Sequence, residues 1–330
     1  MARRLMLAEY AVRAAGWLAR YLRWAYWSRR ARRLWKKLGA STKPLSSPVR
    51  CREIVATDLE NVINLLTFGF ERRRTYWTNA IRILSERSPP PGLPRYGYVL
   101  ESGGALVGVL LMIFSARTFD GTTRLQGAGS GFYVEPPFRS FAPMLISRTH
   151  RSADVSYLNI TPSRHTWPML DAKGFKRFVN GRFVSIPILC NWSQNLQIQV
   201  REATARTWHD SRLEPFETEL LSVHAECGCI CLLCECEEKL CPFVFRSYWS
   251  FGLPFTHLIY CRNLNDFVWA AAALGQALAK RGLPLVVVDA DGPVRGLIGK
   301  FFEIRPRYWK GTKPPPPGDL AYTEIAMFGF

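Results

Sequence analysis

Six of the nine cysteines crowd into one short stretch, Cys227-x-Cys229-x-Cys231-x-x-Cys234-x-Cys236, with Cys241 just beyond. Thiolates are good zinc ligands, Cys231 and Cys234 have a usable C-x-x-C spacing, and His209 and His224 lie nearby in sequence. A second ligand pair at a finger-like distance is missing. Cys227, Cys229 and Cys231 alternate as residues of a strand do, which puts their side chains on one sheet face, where cysteine behaves as a small hydrophobe. Core packing is therefore the main reading and zinc the lesser one, and no metal is expected. A second group of residues able to do chemistry lies toward the end of the chain. Asp289 and Asp291 cap a strongly apolar strand, and Tyr308, Tyr322 and Glu324 put polar and aromatic groups where simple core alternation would suffice. Strand ends carry ligand groups in open sheets, so Asp289, Tyr308, Tyr322 and Glu324 are candidates for a ligand site. Asp289-Ala290-Asp291-Gly292 also reads as a plain turn.

These residues need elements to position them. The spacing predicts a strand over 49–55, a helix from the Thr57-Asp58 cap to about Phe70, and a second helix over about 76–86. Ser88-Pro89-Pro90-Pro91-Gly92 breaks the chain. A hairpin over 96–101 and 105–114 turns at Ser102-Gly103-Gly104, followed by a strand over 129–135, a helix over 138–150, a buried strand over 155–160 and a short helix over 163–173. The second half repeats that order: a strand over 183–190, a helix over 202–225, a hairpin over 228–236 and 242–248, and a strand over 257–262. An Ala-rich helix over 266–281, closed by Gly282, comes next, then a strand over 284–289, a short helix near 293–302 and a last strand over 320–328. One order met twice explains 330 residues as two units.

That order, together with two motifs, resembles the GNAT acyltransferases. Val134-Glu135-Pro136-Pro137-Phe138-Arg139-Ser140-Phe141-Ala142-Pro143-Met144-Leu145 is similar to the family's strand-to-helix pattern V-x-P-x-[YF]-R-G-x-G-x-[GA]-x-x-L. Tyr157-Leu158-Asn159-Ile160, Ser163-Arg164-His165-Thr166 and Lys173-Gly174-Phe175 resemble its second strand, its following helix start and its terminal G-F. The resemblance implies an α+β fold of two tandem units, each a mixed central sheet flanked by helices: 49–181 and 182–330, after a helix and linker over 1–48. It also implies an acyl-CoA donor. Helix N-termini offer free N–H groups to phosphates, so Arg139, Ser140, Phe141, Ala142 and Met144 are candidates for the CoA end. Backbone N–H groups near Phe132 and Val134 would polarise the thioester carbonyl, and Ser163 stands where an Asn usually holds the pantetheine arm. The pattern's glycines are absent: Ser140, Ala142 and Met144 replace small residues, and Pro143 lacks an N–H. Leu170 stands where many members carry a proton-donating Tyr, and His165 is the candidate substitute. Glu135 is the candidate base, acting through water, with Asp289, Tyr308, Tyr322 and Glu324 as acceptor-site candidates. The second half has no phosphate loop, since Tyr260-Cys261-Arg262-Asn263-Leu264-Asn265-Asp266 contains no glycine.

Charge bears on partners. Residues 1–39 hold eleven Lys/Arg and one acid, giving +10 of the formal +18. Residues 3–38 read as one basic amphipathic helix with Tyr10, Trp17, Tyr21, Trp24 and Trp35 in one sector, a composition suited to an anionic membrane surface or to docking on protein. No export signal and no apolar span of roughly 20 residues is present. A cytoplasmic protein is expected, with reduced thiols and possible peripheral attachment at the inner face of the membrane. No helix-turn-helix or finger pattern suggests sequence-specific DNA binding. Acyl transfer from CoA to an amine or hydroxyl is the leading function. A Fem-like transferase using aminoacyl-tRNA, met by the basic N-terminus, is the alternative, and a non-catalytic membrane-surface scaffold is the third reading.

Overall fold

The computed structural model describes residues 47–119, 121–150, 152–190, 198–204, 210–237 and 239–329. The basic helix expected over 3–38, its aromatic stripe and His209 lie outside them.

In the first half, β1 (Val49–Glu53) leads to α1 (Leu59–Phe70) and α2 (Arg74–Glu86). The Asp58 carboxylate accepts the Val55 N–H at 2.9 Å ahead of α1, while Val62, Ile63, Leu65 and Leu66 form its buried face. β2 (Gly97–Ser102), β3 (Ala105–Phe119) and β4 (Thr122–Val134) form a meander. α3 (Ala142–Thr149), β5 (Val155–Asn159), α4 (Trp167–Ala172) and β6 (Lys176–Val179) follow. The second half supplies β7 (Gly181–Ser185), β8 (Gln199–Glu202), α5 (Pro215–Glu226), β9 (Ile230–Cys236), β10 (Lys239–Ser250), β11 (Leu253–Cys261) and α6 (Leu264–Ala279). β12 (Leu285–Ala290), β13 (Gly299–Phe302), β14 (Arg307–Lys310) and α7 (Glu324–Met327) complete it.

The strands make two mixed seven-stranded sheets with one plan. The first runs β1-β2-β3-β4-β5-β14-β6 and the second β8-β9-β10-β11-β12-β7-β13. In each, the fourth and fifth strands are parallel, and the sixth is antiparallel to both neighbours. The first sheet takes its sixth strand from the other half of the chain: β14 sits there, while β7 stays in the second sheet with its own half. The expected α+β architecture of two sheet-and-helix units is thus present, with one strand of the second half, β14, lent to the first sheet.

Several expected elements differ. β4 begins at Thr122, well before Gly129, because the β3–β4 hairpin extends past the core into exposed residues. The helix expected over 138–150 is a 3₁₀ turn, Pro136–Phe141, followed by α3, an arrangement suited to prolines at 136, 137 and 143, which cannot donate backbone bonds. The strand over 183–190 stops at Ser185, and Pro187–Leu189 turns as 3₁₀. The helix over 202–225 is β8 plus a helix opening at Pro215, a favourable first helical position. Residues 299–302, expected within a helix, pair with β7 as β13. The strand expected over 320–328 is a turn followed by α7. Every residue from 320 to 328 is buried, so the segment carries no periodicity to separate strand from helix.

Candidate functional site

β4 and β5 pair in parallel only from Leu125↔Val155 to Ala128↔Leu158. Beyond that point β4 stays bonded to β3, while the ladder to β5 ends and the strands part. β4 carries one extra residue at the same place: Leu111 faces Ser130, but Val109 faces Tyr133. Gly131 takes φ +57 in this bulge, and a Cβ there would come within 3.2–3.3 Å of Leu66, Leu111 and Trp77. Bulges re-aim backbone groups, so the split and the bulge together present unpaired strand edge beside an open gap.

One face of the gap is an apolar cleft lined by Leu110, Met112, Gly129, Phe132, Leu170 and His150, among others. A Cβ on Gly129 would meet nothing nearer than 3.7 Å, so the position opens onto the cleft. His150 caps α3, with its ring centroid 4.4 Å from Tyr157 and 4.8 Å from Phe175, edge-on to both. Burial, aided by Lys310 and Lys173, pushes this imidazole down to about 3, so it is neutral. Its Nδ1 is buried without a hydrogen-bond partner among the described residues. Sequence reasoning passed over His150, whose one signal was a polar residue at the end of a helix facing an apolar strand.

The structure brings only part of the expected donor set to this cleft. Phe132 lines it, and Val134 is buried at the end of β4. Glu135 leads into the 3₁₀ turn, its N–H bonded to Val107 O at 2.9 Å, and burial raises its carboxyl. Arg139 and Ser140 are exposed on that turn, Phe141 and Ala142 pack partly against the core, and Met144 is exposed on α3. Ser163 and His165 are exposed at the 3₁₀ turn before α4. The Ser163 carbonyl there accepts from the Thr166 N–H and hydroxyl at 2.9 and 2.8 Å. Thr166, Met169 and Leu170, rather than His165, are the cleft residues of this segment.

The opposite face of the gap packs on α1, α2 and the chain's last residues. Glu324 opens α7 there and is buried. The Thr161 hydroxyl, just past β5, donates to Glu324 Oε1, while Ser130 of β4 lies alongside. Burial lifts this carboxyl to about 7, with Thr161, Arg307, Ser130 and Arg72 pulling it partly back. Glu324 Oε2 is buried without a hydrogen-bond partner among the described residues. Tyr322, two residues earlier, takes φ +55; its N–H is 3.2 Å from His224 Nε2, and its phenol is pushed up to about 12 chiefly by burial.

Asp289 and Tyr308 are placed differently. Burial would raise the Asp289 carboxyl, but Arg307 and His257 outweigh it and hold the group ionised. Arg307 Nε and Nη2 bond it at 2.6 and 3.0 Å, and His257 Nε2 lies 3.0 Å away. The third Arg307 nitrogen, Nη1, donates to Ile160 O. This fully buried arginine therefore ties the end of β12 in the second sheet to the segment after β5 in the first. Tyr308 pairs with Asn159 in β14 and accepts from Arg177 Nε at 2.9 Å.

The second sheet has the corresponding gap, and the chain fills it. β11 and β12 pair in parallel only over Phe255–His257 and Leu285–Val287. Beyond them Cys261 N–H donates to Gly318 O at 3.0 Å and Leu320 N–H to Ile259 O at 2.7 Å. Gly318 has φ +86, and a Cβ there would lie 2.5 Å from Cys261 Sγ.

The cysteines divide between two cores. Cys229 and Cys231 face α5 and α7, with Sγ contacts to Ala326 O at 3.3 Å and Leu221 O at 3.5 Å, while Cys234 and Cys241 face α6. An odd spacing in a strand puts Cys231 and Cys234 on opposite faces, so that C-x-x-C pair cannot grip one ion. No group of three metal-ligating side chains converges among the described residues, and no helix among them is long and apolar enough to cross a membrane.

Neither a protein-family model nor a curated protein matches the chain. Solved structures do. A GCN5-related N-acetyltransferase from Anabaena variabilis matches with a TM-score of 0.55 at 11% identity, over 80% of this chain and 72% of that one. A probable N-acyltransferase from Enterococcus faecalis matches at 0.53 and 9%, over 80% and 72%. A putative acetyltransferase from Pyrococcus horikoshii matches at 0.51 and 11%, over 86% and 95%. The chain has the GNAT fold, built here as two GNAT-like units.

Proposed function

We propose that the first unit binds the pantetheine arm of an acyl-CoA thioester in the cleft between β4 and β5, and that the protein passes the acyl group to an amine or hydroxyl by direct attack. The observation that carries this reading is the coincidence of split and bulge: an apolar slot opens where Gly131 re-aims the backbone of β4. Unpaired strand N–H groups beside the cleft can bond the carbonyls of the arm's amides and polarise the thioester carbonyl. The second unit's gap is filled by Gly318–Leu320, which supports placing the chemistry in the first.

The chain's own part is positioning and electrostatics. Phe132, Met112 and Leu170 exclude water from the arm. Neutral His150 offers a hydrogen bond inside the cleft, and Arg139 stands at the outer end as a phosphate contact. The turn lacks the glycines that let a backbone wrap a pyrophosphate, so side-chain charge carries more of that contact. Residues 3–38 would hold the protein at an anionic membrane surface, and the acceptor would be met from the α1–α2 face.

Calorimetric titration of acetyl-CoA and a longer acyl-CoA tests the donor. Binding in the micromolar range is expected, with a loss of at least about 100-fold on Gly129→Phe, which fills the cleft, and little change on Gly129→Ala. Binding unaffected by Gly129→Phe would remove the donor from this cleft. No binding of any thioester would turn attention to an aminoacyl-tRNA donor, read out as RNA co-purification that falls with salt, or to a scaffold.

A further inference from the structure

We infer that Glu324 is the catalytic base of this transfer, taking the proton of the attacking amine or hydroxyl. The inference rests on the acyl-transfer reading above and adds the group that completes it. Ser130 is the β4 residue between the split and the bulge, and Thr161 follows the end of β5. A carboxyl bonded by Thr161 and flanked by Ser130 therefore stands where the two strands part. It reaches that point from the α1–α2 side, against the face opposite His150 and the proposed donor arm. Donor and base thus approach one carbonyl from opposite faces, as direct attack requires.

Three properties suit the role. Glu324 is only 7% exposed, yet Thr161 is exposed, so its hydrogen-bond partner opens toward solvent. Its Oε2 has no hydrogen-bond partner among the described residues and is left to receive a proton. The groups acting on it are Arg307 from β14, Arg72 from the α1–α2 turn and Tyr76 from α2, with Thr161 and Ser130; two cations beside a buried carboxyl keep its ionised form accessible near neutral pH. Glu135, the other carboxylate of this region, lies three or four residues past the bulge, roughly 10 Å along the strand.

In the step, the nucleophile's nitrogen or oxygen bonds the carbonyl carbon and its proton passes to the Glu324 carboxylate. The carbon–sulfur bond breaks, its electron pair leaves on the CoA sulfur, and the thiolate and Glu324 then exchange protons with solvent.

The test uses the full chain, acetyl-CoA and a set of primary alkylamines, with thiol release followed between about pH 5 and 9. The wild type should show kcat/KM rising through an inflection near 7. Glu324→Gln should lose the inflection and about 100-fold or more in kcat, with CoA affinity within about twofold, while Glu324→Asp recovers part of the rate. Wild-type rate or an intact inflection in Glu324→Gln overturns the inference and leaves the donor reading standing. An infrared difference between wild type and Glu324→Gln checks the group without any acceptor. A protonated-carboxyl band vanishing as pH rises through neutrality supports the assignment; titration wholly below about pH 5 overturns it. Failure of the wild type to bind CoA at all removes the donor reading, and this inference with it.

Discussion

Arg307 and Asp289 show what a single position can hide. Both are buried, and the arginine's three donors are split between the Asp289 carboxylate and the Ile160 carbonyl. Removing the cation while leaving the anion strands a charge in low dielectric. Arg307→Met is expected to cost about 3–5 kcal/mol of unfolding free energy, and Arg307→Met with Asp289→Leu to recover most of it, both read from urea unfolding. Equal losses in the single and double variants would show that the pair is not coupled. Buried histidines add a pH dependence. Burial pushes His224 down to about 3 and His257 to about 4, against about 6.5 for an unfolded chain. Their folded values are depressed, so the unfolded state takes up protons first. Stability therefore falls as pH drops below about 6.5, levelling off only near the folded values. At pH 5 each contributes a loss on the order of 2 kcal/mol. A urea midpoint unchanged between pH 7 and pH 5 would contradict this. In the sequence Asp289 reads as a strand cap with a ligand role. What partners it holds depends on an arginine 18 positions away.

At the scale of elements, legibility followed periodicity. α1, α2, the β2–β3 hairpin and α6 were plain because each buries one face and exposes the other, or turns at paired glycines. α7 was misread because a segment buried on every side shows only an apolar run. β13 and β14 carry no such period, because each is four residues long and becomes a strand through the neighbours it meets. The split between β4 and β5 has no signature in composition. It exists because the parallel ladder stops after Ala128 and Leu158 while a bulge turns β4 at Gly131, a residue whose positive φ is a weak hint in a strand. The contrast between the two gaps is likewise an element-level event. Gly318, at φ +86 against Cys261, lets the incoming segment lie close enough to bond β11, and among the described residues no equivalent segment closes the first gap.

For the molecule as a whole, the exchanged strand β14 binds the two sheets into one folding problem. The first sheet lacks its sixth strand until β14 arrives from near the end of the chain. The segment from Gly318 to Glu324 adds further ties. Arg117 of β3 bonds Asp319 at 2.8 Å, Gln126 of β4 bonds Ala321 O at 3.1 Å, and Leu320 bonds β11. Scanning calorimetry of the chain should accordingly show one cooperative transition for the two sheets, with calorimetric and van't Hoff enthalpies in agreement. Two resolved transitions would mean the exchange contributes little to cohesion. Such wiring also brings Glu324 of α7 against Thr161 and Ser130, where β4 and β5 part.

The fold class, the two-unit plan and the motif that leads out of β4 are legible in the letters alone, because alternation, helix caps and prolines act locally and are written in neighbouring residues. The letters also mark Glu324 as out of place in an apolar run. Folding in three dimensions settles that β14 joins the first sheet, that one gap is open and the other filled, and that Glu324 rather than Asp289 stands beside the open one. Those outcomes depend on which distant segments compete for the same strand edge, and that competition is settled by burial and hydrogen bonding across the whole chain.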